Sequence, residues 1–275
     1  MREKKKMSDQ RQNAYFPDHN NLRNATDSFG EDLSGKRCLF YGQAGAAICM
    51  IQPMDDHDEE VRENELRLIS KGLEIAPGRS QGAGVRRDAP PTDLSGSTPF
   101  VHVSVKISNW SHELSPWKAP AIYRGMAFGD GAPETLDFIL REVIPVTRER
   151  FLLPKDTQFI LGGYSLAGLF ALWAGYETDV FSGIAAASPS VWFENWDSFI
   201  NKYPIRARHV YLSLGDREAK TRNQTMARVA DRIHDQYEQL QKQGTDSTLE
   251  WNPGNHFRDP DARTARAFSW CAGRL

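Results

Sequence analysis

The sequence predicts an α/β protein with a mainly parallel central sheet flanked by helices on both faces. Three observations predict it. Apolar runs of strand length recur between longer segments of helical period. The two kinds of segment alternate along most of the chain, as they do when helices connect parallel strands. Hydrophobic residues make up 40% of 275 residues, ample for one large core.

The elements follow in order. Residues 1–34 are polar and without period, and are expected to form a flexible tail ahead of a single domain over residues 35–275. Residues 37–41 and 46–53 read as strands, the second leaving through Pro53 into an acidic loop over 54–60. Residues 60–71 read as a helix, with Val61, Leu68 and Ile69 among charges. Residues 76–98 are crowded with Gly, Pro and Ser and hold no aromatic anchor, so a mobile insertion is expected there. Valines at period two make 100–107 a strand, and Leu136, Ile139, Leu140, Val143 and Ile144 give 133–150 one apolar helical face. Strands at 157–161, 182–187, 209–214 and 248–251 then alternate with helices at 166–175, 223–243 and 260–270.

Composition narrows the function. With 34 Lys+Arg against 36 Asp+Glu, the net charge of −2 gives no bulk pull toward nucleic acid, and none is expected as a partner. Cys38, Cys49 and Cys271 are odd in number and widely spaced, which makes neither a disulfide framework nor a zinc site; three reduced thiols are expected. The basic N-terminus is not followed by an apolar stretch, and no run approaches 18 apolar residues. The expectation is a cytoplasmic protein without a membrane span.

The segment 158–173, QFILGGYSLAGLFALW, carries the chemistry. A strand ends in Gly162-Gly163, Tyr164 and Ser165 follow, and an apolar helix begins at once. A serine nucleophile needs such a sharp strand-to-helix turn, and small residues two positions either side keep Cβ atoms apart; here these are Gly163 and Ala167. Beginning beside the serine, the helix lets the amide of Leu166 and the helix dipole stabilise a developing oxyanion. The bland alternative, a serine that only caps a helix, is answered by what comes later in the chain. Asp216 and Glu218 follow the strand at 209–214, and His256 sits in a loop after the strand at 248–251, giving the order Ser, acid, His. Either carboxylate is a candidate. Glu218 is preferred, because a longer side chain set deeper in the loop can reach back to the imidazole Nδ1. His234 falls within a helix and His102 on a strand, where packing roles are expected, while His57 and His112 precede the serine.

Together with AAASPSVWF, VYLSLGDREAKTRN and GNHFRDPDARTARAFSW, this segment resembles the putative esterase family of α/β-hydrolases, which includes enterochelin esterases, feruloyl esterases, esterase D and mycolyltransferases. The resemblance runs from about residue 35 to 274 and looks closest to a small cytosolic bacterial branch. It implies the α/β-hydrolase fold, a metal-free serine mechanism with no cofactor, and an ester or thioester substrate. It maps the nucleophile onto Ser165, the base onto His256 and the acid onto Glu218 or Asp216. Where many relatives carry an H-G-type loop, this chain has Gln52-Pro53-Met54-Asp55-Asp56. The second oxyanion amide then falls to Met54 or Asp55, among the carboxylates of Asp55, Asp56 and Asp58.

The expected activity is a serine esterase acting on a small-molecule ester through an acyl-enzyme. Trp110, Tyr164 and Trp192 are candidate substrate-binding residues, while Trp117, Phe193 and Trp196 could equally seal loops onto the core. Arg217 and Lys220 suit either an anionic substrate or a solvated turn. An acyltransferase on the same site, a non-catalytic binder using the acidic loop, and a peptidase are the rival readings. Oligomeric state has no signal in this sequence.

Overall fold

The computed structural model describes residues 26–55, 59–75, 98–122 and 127–275. Eight strands form one sheet: β1 (Thr26–Leu33), β2 (Lys36–Gln43), β3 (Ile48–Met54), β4 (Phe100–Lys106), β5 (Gln158–Tyr164), β6 (Phe181–Ala187), β7 (His209–Gly215) and β8 (Asp246–Asn252). Their order is β1-β2-β4-β3-β5-β6-β7-β8. β1 and β2 pair antiparallel, as do β2 and β4, and every other pair is parallel.

The period-two pattern of the strands sends alternate side chains to two cores. Val101, Val103 and Val105 of β4, with Cys49 and Ile51 of β3, face one of them. There they meet α3 (Ala132–Phe138), α4 (Ile144–Arg150), α5 (Leu166–Glu177), α6 (Trp196–Lys202) and α8 (Val229–Lys242). Phe100 of β4 and Ile48 and Met50 of β3 face the second core, covered by α1 (Glu59–Ile75) and α9 (Pro260–Ala272). α5 is buried along almost its whole length, from Leu166 to Tyr176, which is why its sequence is apolar on every side. A satisfied polar chain crosses the first core: Trp196 Nε1 donates to Gln236 Oε1 (3.0 Å), and Gln236 Nε2 donates to the Tyr176 hydroxyl (2.9 Å). All three cysteines are buried and free.

Several expected boundaries shift. β1 lies inside the stretch read as a tail. Its only large apolar side chains are Phe29, stacked on Phe40 (5.0 Å) and Phe151 (5.9 Å), and Leu33. An ion pair from Arg150 to Glu31 (2.9 Å) fixes this edge strand. Residues 1–25 of that tail, and 76–97 of the expected insertion, lie outside the described residues. The helix expected over 133–150 is α3 and α4 joined through a π-helical turn at Ile139–Val143. The one expected over 223–243 breaks at Arg228 into α7 (Gln224–Ala227), capped by the Asn223 side chain, and α8. The short helices α2 (Trp110–Glu113) and α6 had no clear apolar period to announce them. Among the described residues no helix is long and apolar enough to cross a membrane.

Phe268 of α9 is fully buried in the second core, with His102 edge-on at 5.7 Å. Phe268→Ala is expected to cost about 3–5 kcal/mol in urea unfolding, because a ring-sized cavity would open under the sheet.

Candidate active site

The site is built where β5 meets α5. Ser165 sits at φ 58° and ψ −119°, a backbone conformation that L residues adopt at a cost. Small neighbours permit it. A Cβ on Gly163 would stand 2.6 Å from the Ala167 Cβ, and one on Gly168 would lie 3.1 Å from the Gly163 carbonyl oxygen. Two backbone bonds tie the turn to the end of β6: Ser165 N–H to the Ala187 carbonyl (3.1 Å) and Ser190 N–H to the Ser165 carbonyl (3.0 Å). The hydroxyl of Ser165 is left partly exposed above the sheet.

His256 and Glu218 arrive from neighbouring strand ends. His256 Nε2 lies 3.0 Å from Ser165 Oγ, and His256 Nδ1 lies 2.7 Å from Glu218 Oε2. Asp216 does not reach the histidine. It is exposed, and its Oδ1 accepts the Gly254 amide (2.8 Å). With the amide of Asp216 bonded to Asn252 (2.8 Å) and that of Arg217 to Gly254 (3.0 Å), this carboxylate zips the β7 turn to the loop that carries His256. The two extra residues before Glu218 fold it back under the turn, its own amide bonding Gly215 (3.1 Å).

Glu218 is almost entirely enclosed, its side chain 4% exposed. Burial on its own raises the carboxyl's pKa. The hydrogen bond and charge of His256 outweigh that, helped by hydrogen bonds from Arg263 and Ser188, and hold it at about 2. Oε1 accepts from Arg263 Nη2 (2.6 Å), Ser188 Oγ (2.7 Å) and the Gly215 amide (2.7 Å), which leaves Oε2 to the imidazole.

Sequence reasoning passed over Arg263, Ser188 and Ser190. Ser190 Oγ stands 3.4 Å from Ser165 Oγ. Arg263 is 2% exposed, and its spacing with the buried Ala267 and Cys271, four and eight residues on, was the available signal that it faces inward. Tyr164 differs from its expected pocket role. Its side chain lies on the α9 face, where the hydroxyl donates to the His256 carbonyl (2.7 Å) and accepts from Arg263 Nη1 (2.7 Å). Burial pushes this phenol up to about 12.

The strand end opposite Ser165 is formed by β3. Its pairing with β5 ends at Ile51 and Leu161, and β3 runs on to Met54. The Met54 carbonyl accepts from Ile107 on the β4 side (2.9 Å). Across this trans peptide the Asp55 N–H is directed the opposite way, toward β5, while the Asp55 carbonyl accepts from Lys106 Nζ (3.0 Å). Of the two amides expected there, that of Asp55 is therefore the one on the β5 side of β3. Asp56 and His57, with Asp58, lie outside the described residues.

Of the aromatics, Trp117 packs among Phe193, Trp196 and Phe199 and donates to the Glu194 carbonyl (2.8 Å), so this group seals loops onto the core. Trp192, two residues past Ser190, and Trp110, at the start of α2, are half-buried. Phe257 is 84% exposed, its ring edge-on to the His256 ring at 5.5 Å. His102 is fully buried beside Gln52 (3.0 Å), where burial and the Arg62 charge push it down to about 3; His234 is exposed against Trp251. Arg217 and Lys220 are exposed. Among the described residues no group of three His, Cys, Asp or Glu side chains could hold a metal ion.

The sheet order, the helices on both faces and the serine turn after β5 define an α/β-hydrolase fold. Solved structures share it. An IroE-like serine hydrolase from Shewanella oneidensis superposes at TM-score 0.63 with 14% identity, over 90% of this chain and 79% of that one. The siderophore hydrolase EstA from Aspergillus nidulans gives 0.60 with 16% identity, over 94% and 98%. The enterobactin esterase FES from Shigella flexneri gives 0.56 with 14% identity, over 90% and 59%. At such identities the likeness is one of fold. No curated protein sequence matches the chain. The family model described as "Putative esterase" matches residues 98–259, more than half of the chain, so the chain belongs to that family and is a hydrolase of the esterase class.

Because Glu218 is held near 2 against an ordinary 4.5, the stability it contributes is complete above about pH 4.5 and is lost as pH falls toward 2. The stability gap between wild type and Glu218→Gln is expected to narrow by about 2 kcal/mol between about pH 6 and about pH 3 in urea titrations. A constant gap would mean that the carboxylate is not stabilised in the folded state.

Proposed function

We propose that the protein is a serine esterase that hydrolyses a small-molecule carboxylic ester or thioester through an acyl-enzyme. One observation carries this reading: the unbroken line from Glu218 through His256 to the hydroxyl of Ser165 on a strained turn. His256 removes the proton as Ser165 Oγ attacks the acyl carbon. Glu218 stays ionised, keeps the Nδ1 proton in place and offsets the imidazolium charge. The first amide of α5, on Leu166, has no partner within its own helix; with the Asp55 amide it receives the oxyanion, each such donor being worth about 3 kcal/mol. The imidazolium then protonates the leaving alcohol or thiol, and the acyl group remains on Ser165. Water, deprotonated by the same imidazole, attacks the acyl-enzyme and releases the acid.

Since His256 protonates the leaving group in this reading, the exposed ring of Phe257 beside it is the proposed leaving-group contact, and Trp192 and Trp110 are kept as the proposed acyl-side residues. The siderophore and enterobactin activities named for the neighbours place siderophore esters in the substrate screen beside simple aryl esters.

A fluorophosphonate probe followed by mass spectrometry is expected to label Ser165 in wild type and not in His256→Ala. Ser165→Ala should abolish hydrolysis of p-nitrophenyl esters with an unchanged circular dichroism spectrum; retained turnover would put the nucleophile elsewhere. Glu218→Gln should lower kcat by roughly 10³–10⁴-fold. Asp216→Asn keeps an oxygen for Gly254 and should stay within about tenfold of wild type by the same kcat assay. Equal effects of the two substitutions would remove Glu218 from its role.

A further inference from the structure

We propose that Arg263 is the positioning residue of this site, the group that holds Glu218 and the His256 loop in register with Ser165. The inference rests on the serine mechanism proposed above. Three donors saturate Oε1 of Glu218, and two of them, the Gly215 amide and the Ser188 hydroxyl, belong to the ends of β7 and β6. Arg263 alone of the three also reaches the histidine loop. Its Nη2 donates to Glu218 Oε1 (2.6 Å) and to Ser188 Oγ, and its Nη1 donates to the Asn255 carbonyl (3.4 Å) and to the Tyr164 hydroxyl (2.7 Å). Tyr164 in turn donates to the His256 carbonyl (2.7 Å), and its backbone immediately precedes the serine. One planar guanidinium thus touches the acid, the loop of the base and the residue next to the nucleophile.

The placement has a cost that packing does not explain. The guanidinium is 2% exposed, and its Nε is buried without an acceptor. A side chain that merely filled space here would carry no charge to desolvate. The Nη contacts hold it, and the planar fork that makes them is a geometry lysine cannot copy. Its charge also balances the buried carboxylate, so Glu218 is ionised before the imidazole takes up a proton. The arginine stands on α9, which begins four residues after His256 and is anchored in the second core by Ala267, Phe268 and Cys271. Its position is therefore set by a rigid element and passed to the loop.

The test compares wild type, Arg263→Met and Arg263→Lys by steady-state hydrolysis of a p-nitrophenyl ester across pH, fluorophosphonate labelling rate and thermal unfolding. Arg263→Met is expected to lower kcat by roughly 10- to 100-fold with KM within about twofold, as small misplacements of reacting groups do. With one positive charge fewer beside Glu218, the carboxylate pairs more strongly with an imidazolium, so the acid limb of kcat/KM should move to higher pH. Arg263→Lys keeps the charge and loses the fork; its acid limb should return to the wild-type position while kcat recovers only in part. A folded Arg263→Met with wild-type kcat and acid limb overturns the inference. So do Met and Lys variants that lose kcat equally with no movement of the limb, since that is a packing defect. Should Arg263→Met fail to fold, Arg263→Lys decides: a fall in kcat at constant KM supports the role and an unchanged kcat overturns it. A wild type that is neither labelled nor active overturns the serine mechanism and the inference with it, whereas a labelled wild type matched by its variants overturns the inference alone.

Discussion

A serine held at φ 58° between a buried strand and a buried helix is the constraint on which the site depends. The conformation costs on the order of 1–3 kcal/mol and persists only where its surroundings leave no alternative. Here the surroundings are the bare Cα of Gly163, the small side chain of Ala167, the bare Cα of Gly168 pressed against β6, and the two backbone bonds to Ala187 and Ser190. A helix buried on every side cannot rotate or slide to relieve the turn. The strain is thus borne by packing across the whole first core, and it keeps the hydroxyl lifted toward the imidazole.

The choice between two carboxylates two residues apart is a matter of surroundings rather than charge. Asp216 meets solvent and one amide, so it can organise a turn but has no enclosed partner. Glu218 is enclosed, and an enclosed carboxylate stays ionised only if donors replace the water it lost. Backbone, hydroxyl, guanidinium and imidazole together supply four. The arrangement spends three of them on Oε1, so the carboxylate cannot rotate and Oε2 is presented to the histidine alone.

The sheet was legible because its inner strands are two-sided. Valines at alternate positions of β4, and wholly buried runs in β5 and β6, follow from packing on both faces. β1 escaped because an edge strand over one core needs few apolar residues, and Phe29 and Leu33 suffice. The line from Ser165 through Glu218 to His256 was legible because chain order and strand ends fix it, and the reach of a longer side chain favoured Glu218 over Asp216. Adjacency to Ser165 says nothing of which face the Tyr164 side chain takes; alternation along β5 sends it toward α9. Arg263 lay in a run of charges, DPDARTAR, that reads as solvated, and only its helical spacing with Ala267 and Cys271 betrays the buried face. Which side of β3 the Met54 and Asp55 amides face depends on one carbonyl's partner, which no residue pattern encodes.

Ser165 and His256, the proposed nucleophile and base, belong to different halves of the molecule. Ser165 is positioned by α5, which is set in the core on one face of the sheet. The loop of His256 is fixed at its far end by α9, set in the core on the other face. Their separation of 3.0 Å therefore depends on two independently packed layers keeping their offset across the sheet. Strands β5 and β6 supply part of that coupling, since both cores rest on them. Side-chain bonds from α9 across the strand ends supply the rest, through Tyr164, Ser188 and Glu218. Packing beneath the strand ends sets the offset of the two layers, and a tie at the level of the side chains themselves holds the proposed reacting groups within the narrow tolerance that such chemistry demands.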